Sequence, residues 1–143
     1  MEPANRTPQS LKQKSRLWRK LLIVALILVA AGILINLLPR GYSRDLSQIG
    51  KVGNVVVQIH DHNQVSSQLL MDQINKVRSD YEGRVTFLVA DVYTAEGKAF
   101  ADNQDIHSAA LVFFAANGEK LTTLYGQQDA ETIRKTLNET FHY

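Results

Sequence analysis

"VVVQIHDHNQVSSQLL", residues 55–70, is the stretch that decides the fold. It opens on three β-branched valines, as a short buried strand would. A polar loop follows, and Ser66 or Ser67 can cap an amphipathic helix. The apolar side of that helix is Leu70, Ile74, Val77 and Tyr81, spaced 4, 3, 4. Strand, polar loop and helix N-terminus is an order in which α/β folds often place their chemistry. The loop supplies His60, Asp61, His62, Ser66 and Ser67, yet no motif among them names a reaction.

Downstream the pattern continues. Gly83 stops the helix, and "RVTFLVADV" (84–92) is apolar on both faces, like a central strand covered by helices. A short helix fits Ala95–Asn103. "AALVFFAA" (109–116) predicts another buried strand, and Asn117-Gly118 predicts a two-residue hairpin into the alternating edge strand "EKLTTLY" (119–125). Asp129 can cap a last helix whose apolar face is Ala130, Ile133, Leu137 and Phe141. Phe87, Phe113 and Phe114 fall on strand alternation and read as core. The order β-α-β-α-β-β-α describes a sheet with helices on both faces.

Upstream, residues 21–38 carry no charge, and Asn36 is their one polar side chain. Such a run makes about 27 Å of helix, close to the hydrocarbon thickness of a bilayer. Pro39 and Gly41 then break it. Ala30, Ala31 and Gly32 would suit a signal-peptidase site, but the apolar run continues well past them, which favours an uncleaved anchor. Lys12, Lys14, Arg16, Arg19 and Lys20 precede the run, against Arg40 and Arg44 after it. The positive-inside rule therefore leaves the N-terminus in the cytoplasm and exports the rest. The expected layout is a basic, disordered leader (1–20), a transmembrane helix (21–38), a linker (39–53) with one helical turn near Asp45–Ile49, and a domain (54–143).

From residue 51 onward there are 8 Lys/Arg against 12 Asp/Glu. A mildly acidic domain lacks the footprint of a nucleic-acid binder. The chain has no cysteine, so neither a disulfide nor thiol chemistry is open to it.

The element order resembles the thioredoxin fold over about residues 54–142, without that family's first strand. In thioredoxins a strand enters a W-C-G-P-C loop at a helix N-terminus, and residues 55–70 align with it without a gap. Gln64 and Ser67 occupy the two cysteine positions, with Val65 and Ser66 between them. Gln58 stands where the family has a buried aspartate, and His60 where it has a loop tryptophan. "IHSAALVFFAANGEK" (106–120) matches the family's isoleucine, cis-proline, strand and Asn-Gly turn, with Ala110 on the cis-proline, where a trans bond is expected. "YGQQDAETIRKTL" (125–137) matches its ending. The resemblance implies a thioredoxin-like α/β sandwich: a mixed four-stranded sheet, helices on both faces, behind a single transmembrane helix. It also implies a groove for extended polypeptide lined by Gln64, Val65, Ser66, Ser67, Ser108, Ala109 and Ala110.

The redox chemistry does not carry over. Glutamine is no nucleophile, serine lacks a reversible two-electron couple, and a glutamine cannot shuttle a proton as the aspartate does. Ser66 or Ser67 with His60, His62 or His107 as base lacks a nucleophile elbow. Metal binding is the competing idea, since His60 and His62 form an H-x-H pair and His107 lies in a neighbouring loop of this fold, as for Zn²⁺ or Cu²⁺. The favoured reading is a redox-inactive, membrane-anchored accessory or assembly subunit. On this reading it is not an enzyme, uses no cofactor, and sits in a bacterial inner membrane with its domain in the periplasm. Its partners are the bilayer and another membrane or exported protein, with no nucleic acid or small-molecule substrate. The alternative is a periplasmic metal-binding protein using His60, His62 and His107.

Overall fold

A computed structural model describes residues 10–37 and 41–143, with side chains for 18–33 and 41–143. The chain divides into two units, the second being Gly41–Tyr143.

In the first unit, helix α1 runs unbroken from Ser10 to Leu37. It therefore starts inside the stretch expected to be disordered. Residues 10–20 hold no Gly or Pro and are rich in Leu, Lys, Arg and Gln, all good helix formers. Among the described residues no helix is long and apolar enough to cross a membrane. The expected span 21–38 extends beyond them, since Leu38 and the side chains of 34–37 are not described. Residues 1–9, Pro39 and Arg40 also lie outside the described residues.

The second unit is a four-stranded sheet in the order β2-β1-β3-β4, with β1 Asn54–His60, β2 Val85–Asp91, β3 Ala110–Phe114 and β4 Lys120–Tyr125. β1 runs parallel to β2 and antiparallel to β3, and β3 is antiparallel to β4. Because neighbouring side chains of a strand point to opposite faces, the strands feed two apolar layers. Val55, Val57, Ile59, Leu88 and Ala90 pack on one side with Ala101 and Ile106, under α3 (Ala95–Asn103). Val56, Leu111 and Phe113 pack on the other with Leu70, Ile74, Ile133 and Leu137, from α2 (Val65–Val77) and α4 (Ala130–Phe141). This is a thioredoxin-like α/β fold.

Residues 41–53, expected as linker, belong to the packed unit. Ser43 bridges Leu88 on the outer edge of β2, with its carbonyl accepting from Val89 N–H at 3.0 Å. The Tyr42 hydroxyl donates to Asn75 Oδ1 at 2.7 Å, and Leu46 is buried in the core. Gly50, at φ 79°, meets the Cα of Gly118 at 3.3 Å from its own would-be Cβ. A side chain there would hit the hairpin turn.

Local details also depart from expectation. α2 is preceded by Gln64 as its N-cap, with no side-chain cap bond, and Ser67 is turned inward and fully buried. The hairpin is longer than two residues: Ala115 N–H bonds Glu119 C=O and Gly118 N–H bonds Ala115 C=O. Gly118 takes the left-handed conformation at φ 85°, as in a type I turn closed by a bulge residue. The chain end is pinned. Tyr143 N–H bonds Asn138 C=O, and its hydroxyl donates to the Arg84 carbonyl at 3.0 Å.

Candidate functional site

The topology sends the β1–α2 loop, the whole β2–α3–β3 crossover and the β4–α4 connection to one end of the sheet, where Ile59 pairs with Ala110 and Ala110 with Tyr125. At that end lies an open cleft of about 210 Å³. Its floor is Ile59, Val92, Ala101 and Ile106, and Asp61, Gln64, Lys98 and Ser108 stand on its rim.

The organiser of the β1–α2 loop is Asp61. One carboxylate oxygen accepts Asn63 N–H at 2.9 Å and the Tyr93 hydroxyl at 3.0 Å. The other accepts the Gln64 amide at 2.9 Å. Asp61 N–H in turn donates to Ser67 Oγ at 3.0 Å, and Asn63 Nδ2 also donates to the Tyr93 hydroxyl. The Asn63 N–H bond, helped by Tyr93 and Gln64, holds the Asp61 carboxyl below its ordinary value of 3.8. A depressed carboxylate stabilises the loop fully above the ordinary value, and that contribution is lost as pH falls through the folded value. The Asn63 amide-proton resonance should therefore titrate with a midpoint below 3.8, and Asp61→Asn should abolish the titration. A midpoint at or above the ordinary value would refute the network.

Beneath the loop, Gln58 is 2 % exposed. Its amide nitrogen donates to the Ser67 carbonyl at 2.9 Å and lies 3.4 Å from His60 Nδ1, while Oε1 has no hydrogen-bond partner among the described residues. The position matched to a buried aspartate is thus buried, but an amide tied to helix backbone fills it.

The expected groove set is only partly assembled. Gln64 and Ser108 line the cleft, and Val65 stands exposed beside it, with Ser66 half-buried. Ser67, Ala109 and Ala110 are buried, and none of the three lines the cleft. Ala110 opens β3 between its neighbouring strands, and the carbonyl of Ala109, just before it, is already bonded by Gly126 N–H at 2.7 Å. No cis peptide occurs among the described residues, and the bond before Ala110 is trans. Among the described residues no three His, Cys, Asp or Glu side chains gather to hold a metal. The reason is visible in their neighbours: His60 faces Gln58, His62 stacks on Tyr93 with ring centroids 4.2 Å apart, and His107 lies beside Asp105. Among the described residues the three histidines are therefore not gathered at one point, and His107 lines the cleft.

Tyr93 was not anticipated. Asp-x-Asn signals the local turn, but nothing in the sequence announces its partner 32 residues away. Next in the chain to cleft-lining Gln64 and Val92, Val65 and Tyr93 are 69 and 55 % exposed.

No family model matches the chain, and no curated protein matches it. Among solved structures it is similar to the crystal structure of chloroplastic thioredoxin z, at 16% sequence identity and a TM-score of 0.57, covering 67% of this chain and 86% of that one. At that identity the likeness speaks to the fold. On this fold the chain carries no cysteine, and so has no thiol with which to exchange disulfides.

Proposed function

We propose that the protein is a membrane-anchored, redox-inactive thioredoxin-like subunit that binds another exported or membrane protein through the loop end of its sheet. One observation carries the reading: Val65 and Tyr93, each next in the chain to a cleft-lining residue, stand exposed beside an apolar-floored cleft, where the aligned cysteine positions hold Gln64 and Ser67. Clustered apolar exposure beside a cleft is a mark of interaction surfaces. A loop fastened by Asp61 to Tyr93 is preorganised, which lowers the ordering cost of binding.

The anchor is supported by sequence and by helix character. Residues 21–38 are uncharged, and the described part of α1 exposes Leu, Ile and Val on every side, as a helix meant for an apolar surround does. The basic flank argues for a cytoplasmic N-terminus and a periplasmic or otherwise extracytoplasmic domain. Tethering would concentrate the domain near partners in the same membrane. The role requires no catalysis and no cofactor.

The test is site-specific photocrosslinking in cells, with a reporter active only outside the cytoplasm fused after Tyr143. The reporter should be active. Crosslinkers at Val65 and Tyr93 should give the same discrete adduct, whereas crosslinkers at Glu82 and Lys135, at the other end of the unit, should give none. A silent reporter removes the topology, and equal labelling from both ends removes the docking surface.

A further inference from the structure

The cleft end of the domain has a charge the rest of the domain lacks. The segments that the topology brings there are 58–67, 91–108 and 125–131. They hold seven acidic residues, Asp61, Asp91, Glu96, Asp102, Asp105, Asp129 and Glu131, against one lysine, Lys98, no arginine, and the histidines His60, His62 and His107. The remainder of residues 51–143 holds five acidic residues and seven basic ones. The mild acidity of the whole domain is therefore an average over a strongly acidic end and a weakly basic one.

Few of these charges are cancelled within the end itself. Lys98 pairs with Asp102 at 2.8 Å, His107 lies 3.4 Å from Asp105, and Arg44 reaches Asp91 from outside the cluster at 3.6 Å. Glu96, Asp105, Asp129 and Glu131 are exposed. In the middle of this field lies the cleft, whose floor is four apolar side chains. A cleft of about 210 Å³ is the size of one large apolar side chain, not of a drug-sized ligand.

We infer that the cleft end docks a basic polypeptide segment of its partner, one that seats a single large apolar side chain on Ile59, Val92, Ala101 and Ile106 between flanking lysines or arginines. The inference rests on the interaction reading above and adds the chemistry of the partner. Charge complementarity around a small apolar core fixes orientation and speeds encounter. An inorganic cation would have no use for the apolar floor, and an acidic or neutral segment would gain nothing from the surrounding carboxylates.

The experiment uses the full chain in phosphatidylcholine nanodiscs and three fluorescent twelve-residue peptides. One places a central leucine or phenylalanine among lysines and arginines, the second places it among glutamates, and the third keeps the basic residues but replaces the apolar one by serine. The first should bind, weakening at least tenfold from low to 0.5 M salt as screening sets in, and the other two should bind at least tenfold more weakly. The triple variant Glu96→Lys, Asp102→Lys, Asp105→Lys should lose at least tenfold, as should Ser108→Trp, which fills the cleft. Lys76→Glu, at the opposite end, should change nothing. Equal binding of the acidic peptide, salt-independent binding, binding of the serine peptide as tight as the first, or no binding of the first overturns the inference. If the photocrosslinked partner of Val65 is contacted through an acidic or neutral segment, this inference falls while the interaction reading stands. Absence of any crosslink removes the reading beneath it.

Discussion

Replacing Gly97 by alanine should destabilise the Gly41–Tyr143 unit by about 2 kcal/mol or more, against the gain of up to about 1 kcal/mol that helix propensity alone predicts. Gly97 is buried in the first turn of α3, and a Cβ on it would sit 2.1 Å from the carbonyl oxygen of Asp91 and 2.7 Å from that residue's carbonyl carbon. The opposing atoms are backbone, so no rotamer change relieves the overlap. Nor can Asp91 retreat easily. It pairs with His60, its carbonyl accepts both Thr94 N–H and Thr94 Oγ1, and the neighbouring Val92 N–H bonds the His60 carbonyl. Thr94 is itself the cap of α3, accepting from Gly97 N–H at 3.0 Å. The helix must therefore lift, and with it Ala101 and the half-buried Phe100 lose their seat in the core. Urea denaturation followed by circular dichroism reads the result, since the chain's one tryptophan, Trp18, lies outside this unit. The exposed neighbour Ala99→Gly calibrates propensity on the same helix, at a cost of about 1 kcal/mol. A stabilised Gly97→Ala would show that α3 does not press on β2 as described.

Such a contact also marks where sequence reading ends. A lone glycine in a short helix reads as a weak position, and only the strand carbonyl across from it makes it necessary. The strands and their order were legible because three are dense apolar runs between turn residues and β4 alternates after an Asn-Gly turn, and helices α2 and α4 because their buried positions recur at helical spacing. In residues 41–53 the helical turn at Leu46–Gln48 was legible, but their packing onto the domain was not, for a physical reason. Their glycines advertise flexibility, while the contacts that order them, Tyr42 to Asn75 and Ser43 to Leu88, join positions far apart in the chain. The Asn117-Gly118 signal was real, but the register shift between Phe113 and Phe114 belongs to strand pairing and leaves no local trace. At the site, the missing thiols were plain from composition. Burial was not: Ser67, Ala109 and Ala110 look like loop-lining residues until the sheet is closed beneath them.

The largest chemical effect should come from restoring what the loop lacks. In the chain carrying Gln64→Cys and Ser67→Cys, a disulfide should form under mild oxidant, because the two positions lie three residues apart at the start of α2, where side chains share a face. The thiolate at position 64 should be favoured by its place as N-cap, where the helix N–H groups are unpaired. Turnover should nonetheless be poor. The second thiol would occupy the fully buried site of Ser67, and the side chain beneath it is Gln58, whose amide is committed to the Ser67 carbonyl at 2.9 Å and carries no titrating proton. Assistance by a positioned acid or base is worth on the order of 10²–10⁴-fold. Insulin reduction by the double mutant should therefore run about 10²-fold below that of a triple mutant that adds Gln58→Asp, while the parent chain gives none. Both mutants should keep their α2 circular-dichroism signal, which separates lost chemistry from lost fold. If the two cysteines alone match the triple mutant, the buried amide is not what silences this loop, and the absence of thiols is the whole difference.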